Sequence, residues 1–66
     1  MKNTLRVERA IHALTQEDLA NRIAVSRQTI HAIEAGKYVP STVLALKIAR
    51  LFGKPVESIF MLEDGD

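Results

Sequence analysis

The stretch that decides the fold is QEDLANRIAVSRQTIHAIEAG, residues 16–36 of this 66-residue chain. It predicts two short helices, because Thr15 and Ser26 can each accept a hydrogen bond from the first turn that follows them, and Gly36 suits the end of the second helix. A link of about three residues between two helices favours a steep crossing, the helix-turn-helix geometry. Such a crossing needs a small residue where the backbones meet, and Ala20 is that residue.

The second of these helices has an outward face that carries no Asp or Glu. On a helical wheel Ile30 and Ile33 face inward. The residues left outside are Gln28, His31, Ala32 and Ala35, with Arg27 on the shoulder. The long polar side chains are therefore at the N-terminal end of the helix, the part that reaches base edges in a DNA major groove.

The rest of the chain is typical of a single small all-α domain. Turn and cap residues predict an opening helix over 5–13, a longer helix that begins after Pro40-Ser41 and ends at Gly53, and a short last helix with Pro55 at its first position. This makes five helices. The predicted core consists of Leu19, Ala20, Ile23, Ile30, Ile33, Leu44, Ala45, Ile48, Ala49, Leu51, Phe52, Val56, Ile59 and Phe60.

The first helix has two candidate inner faces. Leu5 and Arg9 lie on one side, and Val7, Ile11 and Leu14 lie roughly opposite. Periodicity alone does not decide which side faces the core and which a partner.

Composition excludes several classes of protein. The absence of cysteine excludes disulfide-stapled and thiolate-zinc proteins, and His12 and His31 are too few for a metal cage made of protein ligands alone. The charged start of the chain predicts no signal peptide, and no apolar run approaches the roughly 18 residues of a membrane span. We expect a cytoplasmic domain with no metal, no cofactor and no small-molecule ligand.

Charge is unevenly distributed along the chain. Residues 1–54 hold all nine Lys and Arg against four acids, a net charge of +5, whereas residues 55–66 hold four acids and no Lys or Arg, a net charge of −4. A basic body with an acidic tail is typical of a polyanion binder, but scattered surface charge explains it equally well.

Several motifs together resemble the Cro/C1-type helix-turn-helix (Xre) family of repressors. They are residues 16–20, 25–30, 33–37, 46–49 and 55–60, so the resemblance covers about residues 5–60 and is strongest to short stand-alone members. It implies a lambda-repressor-like domain over 1–66, with the helix-turn-helix at about 16–35 and a dimerisation segment at about 55–66. Residues 59–62 carry more apolar surface than a terminal segment can bury on its own small domain, so we expect this end to join two subunits, as an extended strand beside residues near Asn3. Such a strand would add a small terminal β-ribbon to the five helices.

The resemblance also implies residue roles. Base reading is assigned to Arg27, Gln28, His31 and Ala32; DNA backbone contact to Gln16, Ser26, Thr29, Lys37 and Tyr38; a structural ion pair to Arg9 and Glu34; and the dimer interface to Ile59, Phe60, Met61 and Leu62. Two positions depart from the family pattern, since Ala24 replaces the usual turn glycine and Ala35 a usual asparagine. The alternative is that Arg27 and Lys37 are ordinary surface charges. Tyr38 is expected to be a partly buried rim residue whose hydroxyl reaches a phosphate, since a single aromatic residue makes no stacking platform.

These observations predict a double-stranded DNA-binding transcriptional regulator, a dimeric repressor that occupies a pseudo-palindromic operator. An enzyme is not expected, because Ser26 and His31 do not share a helix face and no acid is placed to orient the imidazole. The alternative is an antitoxin or adaptor subunit that acts through a protein partner.

Overall fold

Four α-helices and a two-stranded sheet make up the computed structural model, which describes residues 1–66. In chain order the elements are β1 (Lys2–Asn3), α1 (Leu5–Ile11), α2 (Gln16–Arg22), α3 (Arg27–Glu34), α4 (Thr42–Phe52), a 3-10 turn (Val56–Ser58) and β2 (Phe60–Met61). None of the helices has the length and apolar character that crossing a membrane requires.

The helix starts lie at the predicted capping residues. Thr15 and Asp18 form a capping box, in which each side chain accepts a hydrogen bond from the backbone N–H of the other at 3.0 Å. Ser26 caps α3 and Ser41 caps α4 through hydroxyl oxygens that accept backbone N–H groups. At the other end of α4, Gly53 adopts φ 67°, the left-handed conformation that ends a helix.

Two predicted helices differ from the structure. The fifth helix is only the 3-10 turn, and Pro55 precedes it with an extended ψ of 149° instead of occupying its first position. The first helix ends at Ile11, two residues early, because Ala13 turns into left-handed space at φ 54°. The Leu14 N–H then donates to the Arg9 carbonyl, which closes the helix and directs the chain toward α2.

The terminal ribbon is present, but it pairs the two ends of one chain, whereas the sequence predicts a strand that joins two subunits. β1 and β2 pair antiparallel, with Lys2 opposite Met61 and Asn3 opposite Phe60. The Thr4 N–H extends the ladder by donating to the Ile59 carbonyl at 2.9 Å. This pairing holds the C-terminal segment against the helices and buries Ile59 and Phe60.

The core is close to the predicted one. Eleven predicted residues are buried, while Ala45, Leu51 and Val56 pack against them half-buried. Leu5 is fully buried, whereas Val7 and Ile11 are exposed. The side of α1 that carries Leu5 and Arg9 therefore faces the interior.

One buried charge was not predicted. Glu8 is 4% exposed, and its Oε2 accepts a hydrogen bond from Lys54 Nζ at 2.7 Å. The other carboxylate oxygen, Oε1, is buried without a partner. This ion pair joins α1 to the residue after Gly53, 46 positions away in sequence.

Candidate nucleic-acid interface

The crossing of α2 and α3 positions the candidate interface. Ala20 is buried where the two helices pack, and its carbonyl accepts the Val25 N–H at 3.0 Å. Ala24 makes the turn with φ 59°, the left-handed conformation that the usual glycine would adopt without strain. Val25 packs half-buried against the core, so the turn is fixed from inside.

The outward face of α3 is as the helical wheel predicts. Arg27, Gln28 and His31 are exposed and Ala32 is half-buried. A shallow depression is lined by Gln16, Arg27, Gln28 and His31. We call this the reading depression; it brings the start of α2 together with the first half of α3, and no acidic side chain lines it.

The first turn of α3 is held by its own hydroxyl groups. Ser26 Oγ accepts the Thr29 N–H at 3.1 Å and lies 3.0 Å from Thr29 Oγ1. Ser26 is exposed and Thr29 half-buried. Both side chains therefore have a structural role in this structure, whichever further contact they make.

Arg9 and Glu34 form the expected ion pair, which is the anchor of α3. Arg9 Nε and Nη2 donate to the two carboxylate oxygens of Glu34 at 2.7 and 3.1 Å, and the Glu34 side chain is only 1% exposed. Gln16 Nε2 donates to the same carboxylate at 3.1 Å, and the exposed Arg6 approaches to 3.6 Å. Arg9 also donates from Nη1 to the Leu14 carbonyl. Three helices are thus tied together at one carboxylate.

Electrostatics keeps this cluster charged. Burial alone would raise the pKa of Glu34, but hydrogen bonds from Arg9 and Gln16, with the positive charge of Arg9, outweigh it and hold the pKa below its usual value. The hydrogen bond to Glu34 in turn raises the pKa of Arg9. The pair therefore stays ionised at neutral pH.

The loop after α3 leaves the helix through a Schellman motif. The Lys37 N–H donates to the Ala32 carbonyl and the Gly36 N–H to the Ile33 carbonyl, with Gly36 at φ 75°. This closure places Lys37 and Tyr38 just beyond the C-terminal end of α3. Tyr38 is 48% exposed, more than the partly buried position expected from the sequence. Both residues lie apart from the reading depression, which is at the start of the helix.

A family model described as helix-turn-helix matches residues 5–59. The chain belongs to the helix-turn-helix family. A protein of Methanocaldococcus jannaschii is 61% identical to it over the full length of both chains. A protein of Methanothermobacter thermautotrophicus is 51% identical over 98% of this chain and 97% of its own. YgzD of Bacillus subtilis is 47% identical over 97% of each.

All three relatives are described as uncharacterized HTH-type transcriptional regulators. The family that the motifs predict is confirmed. Membership of this family implies a DNA-binding transcriptional regulator.

The residues assigned to a dimer interface divide into two pairs. Ile59 and Phe60 lie in the core of their own chain, whereas Met61 is half-buried and Leu62 is 79% exposed. The expectation that residues 59–62 carry more apolar surface than the domain can bury is therefore wrong for Ile59 and Phe60. Pairing with β1, 57 residues earlier, supplies the missing contacts.

Proposed function

We propose that this helix-turn-helix protein binds double-stranded DNA sequence-specifically and represses transcription as a dimer. The observation that carries the proposal is the reading depression, in which three exposed polar side chains of α3 converge with Gln16 and meet no acidic group. A major groove admits a helix of this kind, and its floor presents donors and acceptors to such side chains.

Base reading falls to the first half of α3. Gln28 can pair through its amide with N6 and N7 of adenine, and Arg27 through its guanidinium with O6 and N7 of guanine. His31 is one turn further along the exposed face, and the methyl group of Ala32 suits contact with a thymine methyl group.

Backbone contact falls to residues on either side of this face. The Gln16 amide nitrogen has two hydrogens, of which one is donated to Glu34, so the other can be donated to a phosphate oxygen. Lys37 and Tyr38, exposed beyond the end of α3, supply a cation and a hydroxyl group. The hydroxyls of Ser26 and Thr29 complete the set, and the hydrogen bond between them fixes their orientation.

Dimerisation is proposed at the terminal sheet. The Thr4 N–H donates to the Ile59 carbonyl, so Thr4 and Ile59 form a hydrogen-bonded pair of the antiparallel ladder. Such pairs alternate with non-hydrogen-bonded ones, and the N–H and C=O groups of Phe60 therefore point away from β1. A second copy can pair with that edge of β2 and cover Met61 and Leu62. A two-fold dimer with α3 helices roughly 34 Å apart would span successive major grooves of a pseudo-palindromic operator. Occupancy of a promoter would then exclude polymerase.

Selection of bound duplexes from a random DNA pool tests this function. We expect one enriched motif, with two inverted half-sites separated by roughly one helical turn. A matched selection with Gln28→Ala should lose or change the bases inside each half-site. Failure of the unaltered protein to enrich any sequence would contradict the proposal and favour the antitoxin or adaptor alternative.

A further inference from the structure

A second concave surface lies at the other end of α2. It is lined by the cations Arg22, Lys47 and Arg50 and by Ile23, Ala24 and Leu51. We call it the basic groove. It shares no residue with the reading depression, which contains Gln16 from the first turn of the same helix.

The three cations of the basic groove have no partner within the protein. Every side-chain ion pair in the structure uses Arg6, Arg9 or Lys54. Asp18 is four residues before Arg22, and after its hydrogen bonds with Thr15 the charge of Arg22 also helps to lower its pKa. No ion pair joins Asp18 to Arg22. Lys47 and Arg50 are three residues apart on α4, where like charges are neighbours and repel. An anionic group bound between them would relieve that repulsion.

Apolar side chains lie on the same face of α4 as two of these cations. Val43 and Leu46 are 64% and 55% exposed, and their spacing places them in line with Lys47 and Arg50. Val43 and Lys47 also line an adjoining groove beside the helix-turn-helix. A phosphate chain gains nothing from exposed apolar side chains, whereas a peptide carrying both kinds of group does.

We propose that the basic groove and the adjoining face of α4 bind an acidic segment of a partner protein, one that carries large apolar side chains beside its carboxylates. The three cations, the apolar residues that line the same groove and the exposed apolar neighbours on α4 are complementary to that chemistry. The proposal goes beyond DNA binding, since the reading depression stays free when this surface is covered.

The acidic tail of a second copy fits this surface less well. That tail is closed on itself, because the Glu63 N–H donates to Asp66 Oδ2 at 2.7 Å and the Asp66 N–H to the Glu63 carbonyl. DNA is the other alternative, since Thr29 and Tyr38, which are proposed to contact the DNA backbone, also line the adjoining groove. The experiment has to separate both from a partner protein.

The test is selection of random peptides displayed on phage against the full chain, followed by calorimetric titration of the most enriched peptide. We expect peptides rich in Asp and Glu that also carry Leu, Ile or Phe. The double variant Arg22→Ala/Arg50→Ala should weaken that peptide about tenfold, because it removes two charges from the contact. Lys2→Glu, which lowers the net charge by the same amount at an exposed residue outside the ion pairs, should leave its affinity within about twofold.

Four results would overturn the proposal. They are no enrichment of acidic peptides; equal weakening of peptide binding by Arg22→Ala/Arg50→Ala and by Lys2→Glu; dissociation of a dimer by Arg22→Ala/Arg50→Ala in sedimentation; and a loss of affinity of Arg22→Ala/Arg50→Ala for non-operator duplex as large as that caused by Lys37→Ala. Operator binding is measured on the same variants. If the unaltered chain binds an operator but no acidic peptide, this inference alone is defeated. If the unaltered chain binds no operator, the proposed function is defeated.

Discussion

Arg9 forms a bidentate ion pair with Glu34, in which Nε and Nη2 donate to different carboxylate oxygens at 2.7 and 3.1 Å. The contact joins α1 to the last residue of α3, 25 positions away in sequence. Charge-assisted hydrogen bonds are shorter and stronger than neutral ones, and a bidentate pair adds geometric specificity. Because Glu34 is almost fully buried, the contact fixes the position of α3 in the domain.

Replacing Arg9 by alanine should strongly destabilise the fold. A buried carboxylate left without its cation costs about 3 kcal/mol or more in free energy of unfolding. Gln16 and Arg6 remain near Glu34 in the variant, so we expect a loss close to that lower limit, about 3 kcal/mol. Lys47→Ala, at an exposed position without an ion pair, should change the free energy of unfolding by no more than about 0.5 kcal/mol. Thermal melts of both variants check this, and equal melting temperatures would contradict it.

Acid should weaken the same contact. The pKa of Glu34 is lowered in the folded state below its ordinary value of 4.5. Its contribution to stability is therefore complete above that value and is lost as pH falls through the folded pKa. Urea unfolding from about pH 6 to about pH 3 should show the advantage of the unaltered protein over Glu34→Gln shrinking toward low pH. A pH-independent difference between the two would exclude the ionised pair as its cause.

Local signals in the sequence predicted most of the fold. Thr15, Ser26, Ser41 and Gly53 lie at helix ends because capping depends on residues within one turn. The buried Glu8 could not be found this way, since its partner Lys54 is distant in sequence.

The pairing of the terminal sheet within one chain could not be predicted either, because its two strands are distant in sequence. Its strands have two residues each, too few to show alternation, and it depends on pairing between the two ends of the chain. The burial of Ile59 and Phe60 follows from that pairing, so no periodicity within the last residues could predict it.

The candidate site was predictable where it lies on one helix. The wheel places Arg27, Gln28 and His31 outward, and the structure exposes all three. The Arg9 contact to the Leu14 carbonyl was not predicted, because it depends on the early end of α1. What the exposed residues bind remains a proposal from their chemistry.

The turn of the helix-turn-helix should be improvable. Ala24 has φ 59°, a conformation that costs a side chain with Cβ about 1 kcal/mol or more. Ala24→Gly removes that strain but also raises the conformational entropy of the unfolded chain. We therefore expect a net gain of about 0.5 kcal/mol in the free energy of unfolding. Ala10→Gly, within α1, should instead lose about 0.5–1 kcal/mol. Denaturant unfolding measures both, and a loss at Ala24 as large as that at Ala10 would contradict the strain.

The proposed dimer should depend on Leu62. Its side chain is 79% exposed in a single chain, so Leu62→Glu should leave the fold intact and place a charge in the interface. Sedimentation at micromolar concentration should show a dimer for the unaltered protein and a monomer for the variant. Leu46→Glu, at an exposed leucine on α4, is the matched control and should stay dimeric. A monomeric unaltered protein, or a dimer that survives Leu62→Glu, would contradict this interface.

The separation of base reading from backbone contact is the most informative property of the proposed complex. Gln28 lies in the reading depression at the start of α3, whereas Lys37 lies beyond the end of the helix. A base contact distinguishes one base pair from another by about 1–3 kcal/mol, and a phosphate contact carries no sequence information directly. The two substitutions should therefore differ in kind.

The direct measurement is a salt titration of Gln28→Ala and Lys37→Ala on the selected operator and on a random duplex. Gln28→Ala should weaken operator binding and leave random-duplex binding nearly unchanged. Lys37→Ala should weaken both similarly and flatten the plot of log affinity against log salt by about one unit. If Gln28→Ala binds the operator as tightly as the unaltered protein, or if neither variant changes DNA binding, α3 does not read DNA in the way proposed.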